Sequence, residues 1–144
     1  MKKQLITITS LVLFLVFSAD GMAAGKKQKT SSPLTVAGAT TITGTQAKQL
    51  HDKGIIFIDV RKDSDWKAGR IPGAKHIELK MKFSQVTLSS VAKPDQEVVI
   101  YCNGPTCPRS SQASSKAVNW GYKNVYYYRD GVPDWKKLGF NTEK

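Results

Sequence analysis

From about residue 40 onward, two kinds of hydrophobic pattern alternate along the chain. Ile55–Val60 (IIFIDV) and Glu97–Cys102 (EVVIYC) are short, nearly continuous apolar runs. Runs of that length and composition predict strands buried on both faces. Asn124–Tyr128 (NVYYY) predicts a third strand, with Tyr127 and its neighbours on opposite faces. Between the runs, apolar residues recur at helical spacing. GTQAKQLHDKG puts Ala47 and Leu50 on one face, which predicts a helix with Thr45 as N-cap and Gly54 as its stop. Arg109–Asn119, with Ala113, Ala117 and the adjoining Trp120 in phase, predicts a second. Shorter helices are expected at DSDWKAG, at residues 82–92 ahead of the Pro94–Asp95 breaker, and at VPDWKKLG with Pro133 near its start. TTIT and the end of IPGAKHIEL complete the pattern as short extended stretches.

Strands alternating with helices imply an α/β domain with a central, mostly parallel sheet. Right-handed crossovers then place helices on both of its faces. In such sheets ligands bind at the carboxyl ends of the strands. Cys102 lies at one of those ends.

The segment before residue 41 has a different character. Two lysines precede an apolar run from Leu5 to Ala19, with small residues after it at Gly21, Ala23 and Ala24. This is the layout of a secretory signal peptide over residues 1–23. The run falls short of the roughly 20 residues that span a bilayer. The expectation is export to a bacterial periplasm, without stable membrane association after cleavage. Residues 24–40 are polar, small and non-periodic and read as a flexible arm. Residues 41–142 form one domain. The net charge of +11 changes little on cleavage, since Lys2, Lys3 and Asp20 leave together. The lysines are scattered rather than set in a stripe with aromatics, so the charge reads as a solvated basic surface that attracts small anions and not as a nucleic-acid site.

Both cysteines sit in one Gly/Pro-rich turn, YCNGPTCPRS. Between strand and helix, the backbone amides of Asn103, Gly104, Thr106, Cys107, Arg109 and Ser110 are available, while Pro105 and Pro108 have none. Such a loop can cradle an anion against a helix N-terminus. A thiolate at Cys102 would be stabilised there, lowering its pKa.

Two longer stretches make the pattern specific. FIDVRKDSDWKAGRIPGAKHIEL resembles the rhodanese family signature, an Asp-Val-Arg strand end, then an acidic residue and a Gly-x-Ile-Pro-Gly-Ala turn. VVIYC…RSSQASSKAVNWGYKNVYYYRDGVPDWKKLGF resembles the family's catalytic half. The resemblance spans about Thr41 to Phe140 and implies a rhodanese-like fold. It implies that Cys102 accepts sulfur as a persulfide, that Asn103, Gly104, Thr106, Arg109 and Ser110 form the substrate-binding loop, and that Asp59 and Arg61 support the site. A structural ion pair of Arg61 with Asp63 or Asp65 is the favoured reading of that arginine. Arg70 stands where the family often has a histidine and reads as a surface residue. The expected activity is transfer of sulfane sulfur from a small anionic donor to cyanide or a thiol, with no cofactor.

The resemblance departs in the loop, which is two residues longer than the family's familiar short one and contains a second thiol. In the wider superfamily a longer loop accompanies phosphate or arsenate chemistry, so a cysteine-dependent phosphatase or arsenate reductase is the alternative enzyme. A redox-sensing or binding module is the non-catalytic alternative. Cys107 can act as a resolving thiol that attacks the persulfide and leaves a disulfide for a thiol reductant to open. A disulfide is also the ordinary fate of two cysteines in an exported chain. A metal site is disfavoured because two thiols fall short of four ligands. His51, placed on the exposed side of its helix, and His76 are not needed as bases. Trp66, Trp120 and Trp135 read as packing residues.

Overall fold

The computed structural model describes residues 31–144, so the signal-peptide reading and the first part of the arm lie outside the described residues. Strands and helices alternate through ten elements. They are β1 (Ala39–Thr41), α1 (Gly44–Asp52), β2 (Ile56–Asp59), α2 (Asp63–Ala68), β3 (Lys75–His76), α3 (Gln85–Ser89), β4 (Glu97–Tyr101), α4 (Arg109–Asn119), β5 (Asn124–Tyr128) and α5 (Gly131–Lys137). The strands form one sheet in the order β1-β5-β4-β2-β3. Every pairing is parallel, with Asp59 beside Tyr101 and Tyr101 beside Tyr128. The expectation of a mostly parallel sheet is met in full.

Alternation along β4 divides the core in two. Val98, Ile100 and Cys102 face the side covered by α3 and α4, where Leu88, Ala113 and Ala117 pack. Val99 and Tyr101 face the other side, where Ala47 of α1 and Val132 and Trp135 of α5 pack. Helices therefore cover both faces, as the crossovers require. Cys102 is the first residue past the central strand and belongs to the α4 side.

Three local expectations are corrected. The N-cap of α1 is Thr43, whose side chain accepts from Gln46 N while Gln46 Oε1 accepts from Thr43 N at 2.9 Å. This reciprocal capping box satisfies two donors, which Thr45 inside the first turn could not do. The helix predicted over 82–92 is confined to Gln85–Ser89. The amides of Lys82 and Phe83 both bond Glu78 O at 3.0 Å, and Ser84 then caps the shortened helix. The arm read over 24–40 is already docked from Ser31. Ser32 and Val36 are buried, and Ala39 enters the sheet beside Val125.

His51 is likewise not on an exposed face. Its ring packs edge-on against Phe57 and Trp135, and Nε2 lies 2.8 Å from Pro72 O. The tryptophans pack as expected: Trp135 against Phe57 and Phe140, Trp120 against Phe83, and Trp66 against His76.

Candidate active site at the β4–α4 crossing

Strand β4, buried from Val98 to Tyr101, delivers the chain to Cys102, which is itself fully buried. The carbonyl of Cys102 accepts from Val132 N at 3.1 Å, tying the strand end to the start of α5. Gly131 permits this approach. It has φ +57°, and a β-carbon there would collide with the Cys102 carbonyl. The chain then turns through Gly104, at φ +99°, where Cys107 N bonds Gly104 O at 2.9 Å. The Cys107 amide is therefore occupied within the loop. The amides of Asn103, Gly104 and Thr106 make no such backbone bond among the described residues. Arg109 and Ser110 open α4, where the first amides have no intrahelical acceptor.

Cys102 and Cys107 are joined by a disulfide, with Cα atoms 6.5 Å apart. Cys102 is enclosed and Cys107 is half-buried, so an external thiol meets Cys107 first.

The support beneath the loop is a buried ion pair. Asp59 is fully buried and Arg61 is 3% exposed. Arg61 Nη2 donates to Asp59 Oδ2 at 2.6 Å and Nε to both carboxylate oxygens at 3.0 Å. A further bond from Nη2 reaches Gly69 O at 2.8 Å. Burial works against the Arg61 charge, but the Asp59 hydrogen bond and charge outweigh it and raise the pKa further. Arg61 is in an ion pair, but its partner is Asp59 and not the Asp63 or Asp65 expected from sequence. From this pair, Nη1 donates to Asn103 Oδ1 at 3.3 Å, and Asn103 Nδ2 donates to Asp65 Oδ2 at 2.8 Å. Asn103 is thus clamped between Arg61 after β2 and Asp65 in α2, which fixes the first residue of the loop.

Arg109 is also engaged. Its Nη1 donates to Glu78 Oε1 and, at 3.4 Å, to Val60 O. Glu78 is 7% exposed and also accepts from the amides of Lys80 and Met81 at 2.8 Å each. Burial pushes its carboxyl up, but the Arg109 bond and these amides prevail and hold it below the ordinary value. Arg109, read from the resemblance as part of the substrate-binding loop, thus has its charge paired with Glu78. Beside Glu78 lies a cleft of about 360 Å³ whose lining includes Lys62, Lys80 and Met81.

The remaining candidates separate. Thr106 is exposed at the loop tip. Ser110 is fully buried, with an Oγ that has no hydrogen-bond partner among the described residues. Arg70 bonds Glu143 at 3.0 Å and lies over the Trp66 ring, so it pins the C-terminal tail. His76 stacks on Trp66, and its Nε2 lies 3.0 Å from Arg61 O. No group of three His, Cys, Asp or Glu side chains able to hold a metal occurs among the described residues.

Comparison with known proteins extends these observations. Residues 43–138 match the rhodanese-like domain family. The thiosulfate sulfurtransferase GlpE of Pseudomonas paraeruginosa is 27% identical over 97 residues, covering 67% of this chain and 84% of that protein. The tRNA uridine(34) hydroxylase of Buchnera aphidicola is 31% identical over 88 residues, 58% of this chain but only 27% of the hydroxylase. Among solved structures, the rhodanese-like domain of the Anabaena Alr3790 protein superimposes with a TM-score of 0.61 at 23% identity, covering 74% of this chain and 78% of that domain.

Proposed function

The chain belongs to the rhodanese-like domain family, and we propose that within it the chain works as a sulfurtransferase whose nucleophile is Cys102. The observation that carries this reading is the position of Cys102. It is the first residue past the central strand, where a loop with open amides leads on to the N-terminus of α4. Those amides and the helix dipole favour a thiolate, and then a persulfide anion, at that point.

The working form is the reduced one. The Cys102 thiolate attacks the outer sulfur of a thiosulfate-type donor, breaks its sulfur–sulfur bond and releases sulfite. The Cys102 persulfide then passes its outer sulfur to cyanide or to a thiol, and the Cys102 thiolate is regenerated. Cys107 offers an internal alternative. Its thiol attacks the inner sulfur of the persulfide, hydrosulfide leaves, and the Cys102–Cys107 disulfide forms. Two equivalents of an external thiol reopen that bond and are themselves oxidised to a disulfide. The periplasm remains the proposed location, on the leader read in residues 1–23.

Phosphate or arsenate chemistry fits less well. The doubly charged oxyanion would need a fixed cation, and Arg109 is paired with Glu78. Steady-state assay of the reduced protein tests the proposal. Cys102→Ser is expected to lose thiosulfate:cyanide transfer while keeping its melting temperature, because a hydroxyl is far less acidic and carries no persulfide. Cys107→Ser is expected to keep or raise transfer to an external thiol, since the internal competitor is gone. Equal loss in both variants, or arsenate or phosphate-ester turnover in place of sulfur transfer, would replace this reading.

A further inference from the structure

Just before β1, a short strap runs along the carboxyl end of the sheet and grips the cysteine loop. Ser32 is 4% exposed. Its amide donates to Pro105 O and its Oγ to Cys107 O, both at 2.6 Å. One residue therefore holds the carbonyl of the half-buried cysteine and the carbonyl two residues before it. The other side of the strap is fastened to β5 and the residue after it. Arg129 donates to Ser32 O from Nε at 3.2 Å and from Nη2 at 3.1 Å, and to Ser31 Oγ at 2.9 Å. Tyr127 Oη and Arg129 Nε donate to Pro33 O at 3.1 and 3.2 Å. A rigid strand thus carries one set of contacts and a Gly/Pro turn carries the other.

We propose that the Ser31–Pro33 strap positions Cys107, and that its docking is coupled to the Cys102–Cys107 disulfide. The two acceptors that Ser32 uses lie on the segment that this bond closes. When the bond opens, Cys107 loses its tether to β4, and the turn is free to rotate about Gly104, while the Arg129 and Tyr127 contacts stay where they are. The strap therefore has different contacts in the two redox states, which is the condition for coupling. The coupling is reciprocal: whatever loosens the strap favours the dithiol, and reduction loosens the strap.

The chemistry balances with glutathione as the co-reactant. A glutathione thiolate attacks Cys107 Sγ, breaks the bond to Cys102 and leaves a mixed disulfide on Cys107 with Cys102 as the thiolate. A second glutathione releases Cys107. The protein gains two electrons and two protons, and two glutathione molecules become one disulfide.

Two measurements on the full chain test the coupling, and neither uses a sulfur donor, so failure of sulfur transfer would not be mistaken for failure here. In glutathione redox buffers, Ser32→Ala removes one backbone-directed hydrogen bond. It is expected to shift the equilibrium toward the dithiol about three- to tenfold; tenfold corresponds to roughly 30 mV for a two-electron couple. Arg129→Ala makes the stronger case, because Arg129 has no hydrogen bond to the loop itself among the described residues, yet it is expected to shift the equilibrium in the same direction. In the unmodified protein, amide hydrogen exchange at residues 31, 32 and 34–36 is expected to accelerate on reduction. Unchanged exchange there, or redox equilibria that match the unmodified protein in both variants, would overturn the coupling. The exchange measurement needs no variant, so it decides the matter even if a substitution unfolds the chain.

Discussion

Glu78 keeps its negative charge at 7% exposure because Arg109 and the amides of Lys80 and Met81 surround it. Its carboxyl sits below the ordinary value of 4.5. A depressed carboxylate pKa contributes stability that is present above the unfolded value and is lost as the pH falls through the folded one. Glu78→Gln keeps an acceptor for Arg109 but removes the charge. The variant is expected to lose about 1–3 kcal/mol at neutral pH. Its deficit relative to the unmodified protein should shrink below about pH 4.5. Urea unfolding of both proteins near neutrality and in acid checks this, and a constant deficit would show that the charge is not responsible. The same variant unmasks the Arg109 guanidinium, so the KM for an anionic donor is expected to fall severalfold. Glu78 could not be selected from the sequence. Nothing in IPGAKHIEL marks one carboxylate as the partner of an arginine 31 positions later; only the parallel sheet brings them together. Asp59 and Arg61 stood out together in the sequence, yet their mutual pairing was not singled out, because Asp63 and Asp65 offered competing carboxylates two and four positions after Arg61.

At the scale of elements, the crossing from β4 to α4 depends on what α5 allows. Gly131 sits where a side chain would strike the Cys102 carbonyl, and its φ is positive. Gly121 also has positive φ, at +91°, but has open space where its β-carbon would be. The two glycines separate backbone conformation from steric collision. Gly121→Ala is expected to cost about 1–2 kcal/mol from conformation alone. Gly131→Ala is expected to cost more, about 3–5 kcal/mol, and to displace Cys102 so that sulfur transfer falls even where the domain stays folded. Denaturant melts with parallel assays distinguish the two, and equal costs would remove the collision as a cause. The limits of α4 and β5 were legible from periodicity, with Trp120 in phase beside the helix end, since strong local signals and tertiary packing agree there. The start of α1 was misplaced although Thr43-x-x-Gln46 carries the capping-box pattern in the sequence. The docking of Ser32 was not legible at all, because a polar, non-periodic segment gives no sign of the loop carbonyls that will meet it.

For the molecule as a whole, packing on both faces of the parallel sheet buries Tyr101, Tyr122, Tyr127 and Tyr128 and leaves Tyr126 half-buried. All five have raised pKa values. Burial is the main cause for Tyr101, Tyr122, Tyr127 and Tyr128, and the hydrogen bond to Glu97 is the main cause for Tyr126. For a raised phenol, stability is complete below the unfolded pKa and is lost as the pH rises toward the folded one. The fold is therefore expected to weaken steeply above about pH 10, with phenolate absorbance appearing together with loss of tertiary structure. Phenolate appearing in a protein that is still folded would contradict that link. Whether Cys102 carries sulfur is read by intact-mass analysis of the reduced protein after exposure to thiosulfate and removal of excess donor. A gain equal to one sulfur atom, reversed by cyanide, is expected in Cys107→Ser, where no internal thiol can expel it. The unmodified chain is expected to show that gain or, once Cys107 has released hydrosulfide, the mass of the Cys102–Cys107 disulfide, and Cys102→Ser is expected to show no gain. No gain in Cys107→Ser, or an equal gain in Cys102→Ser, would contradict sulfur transfer through Cys102.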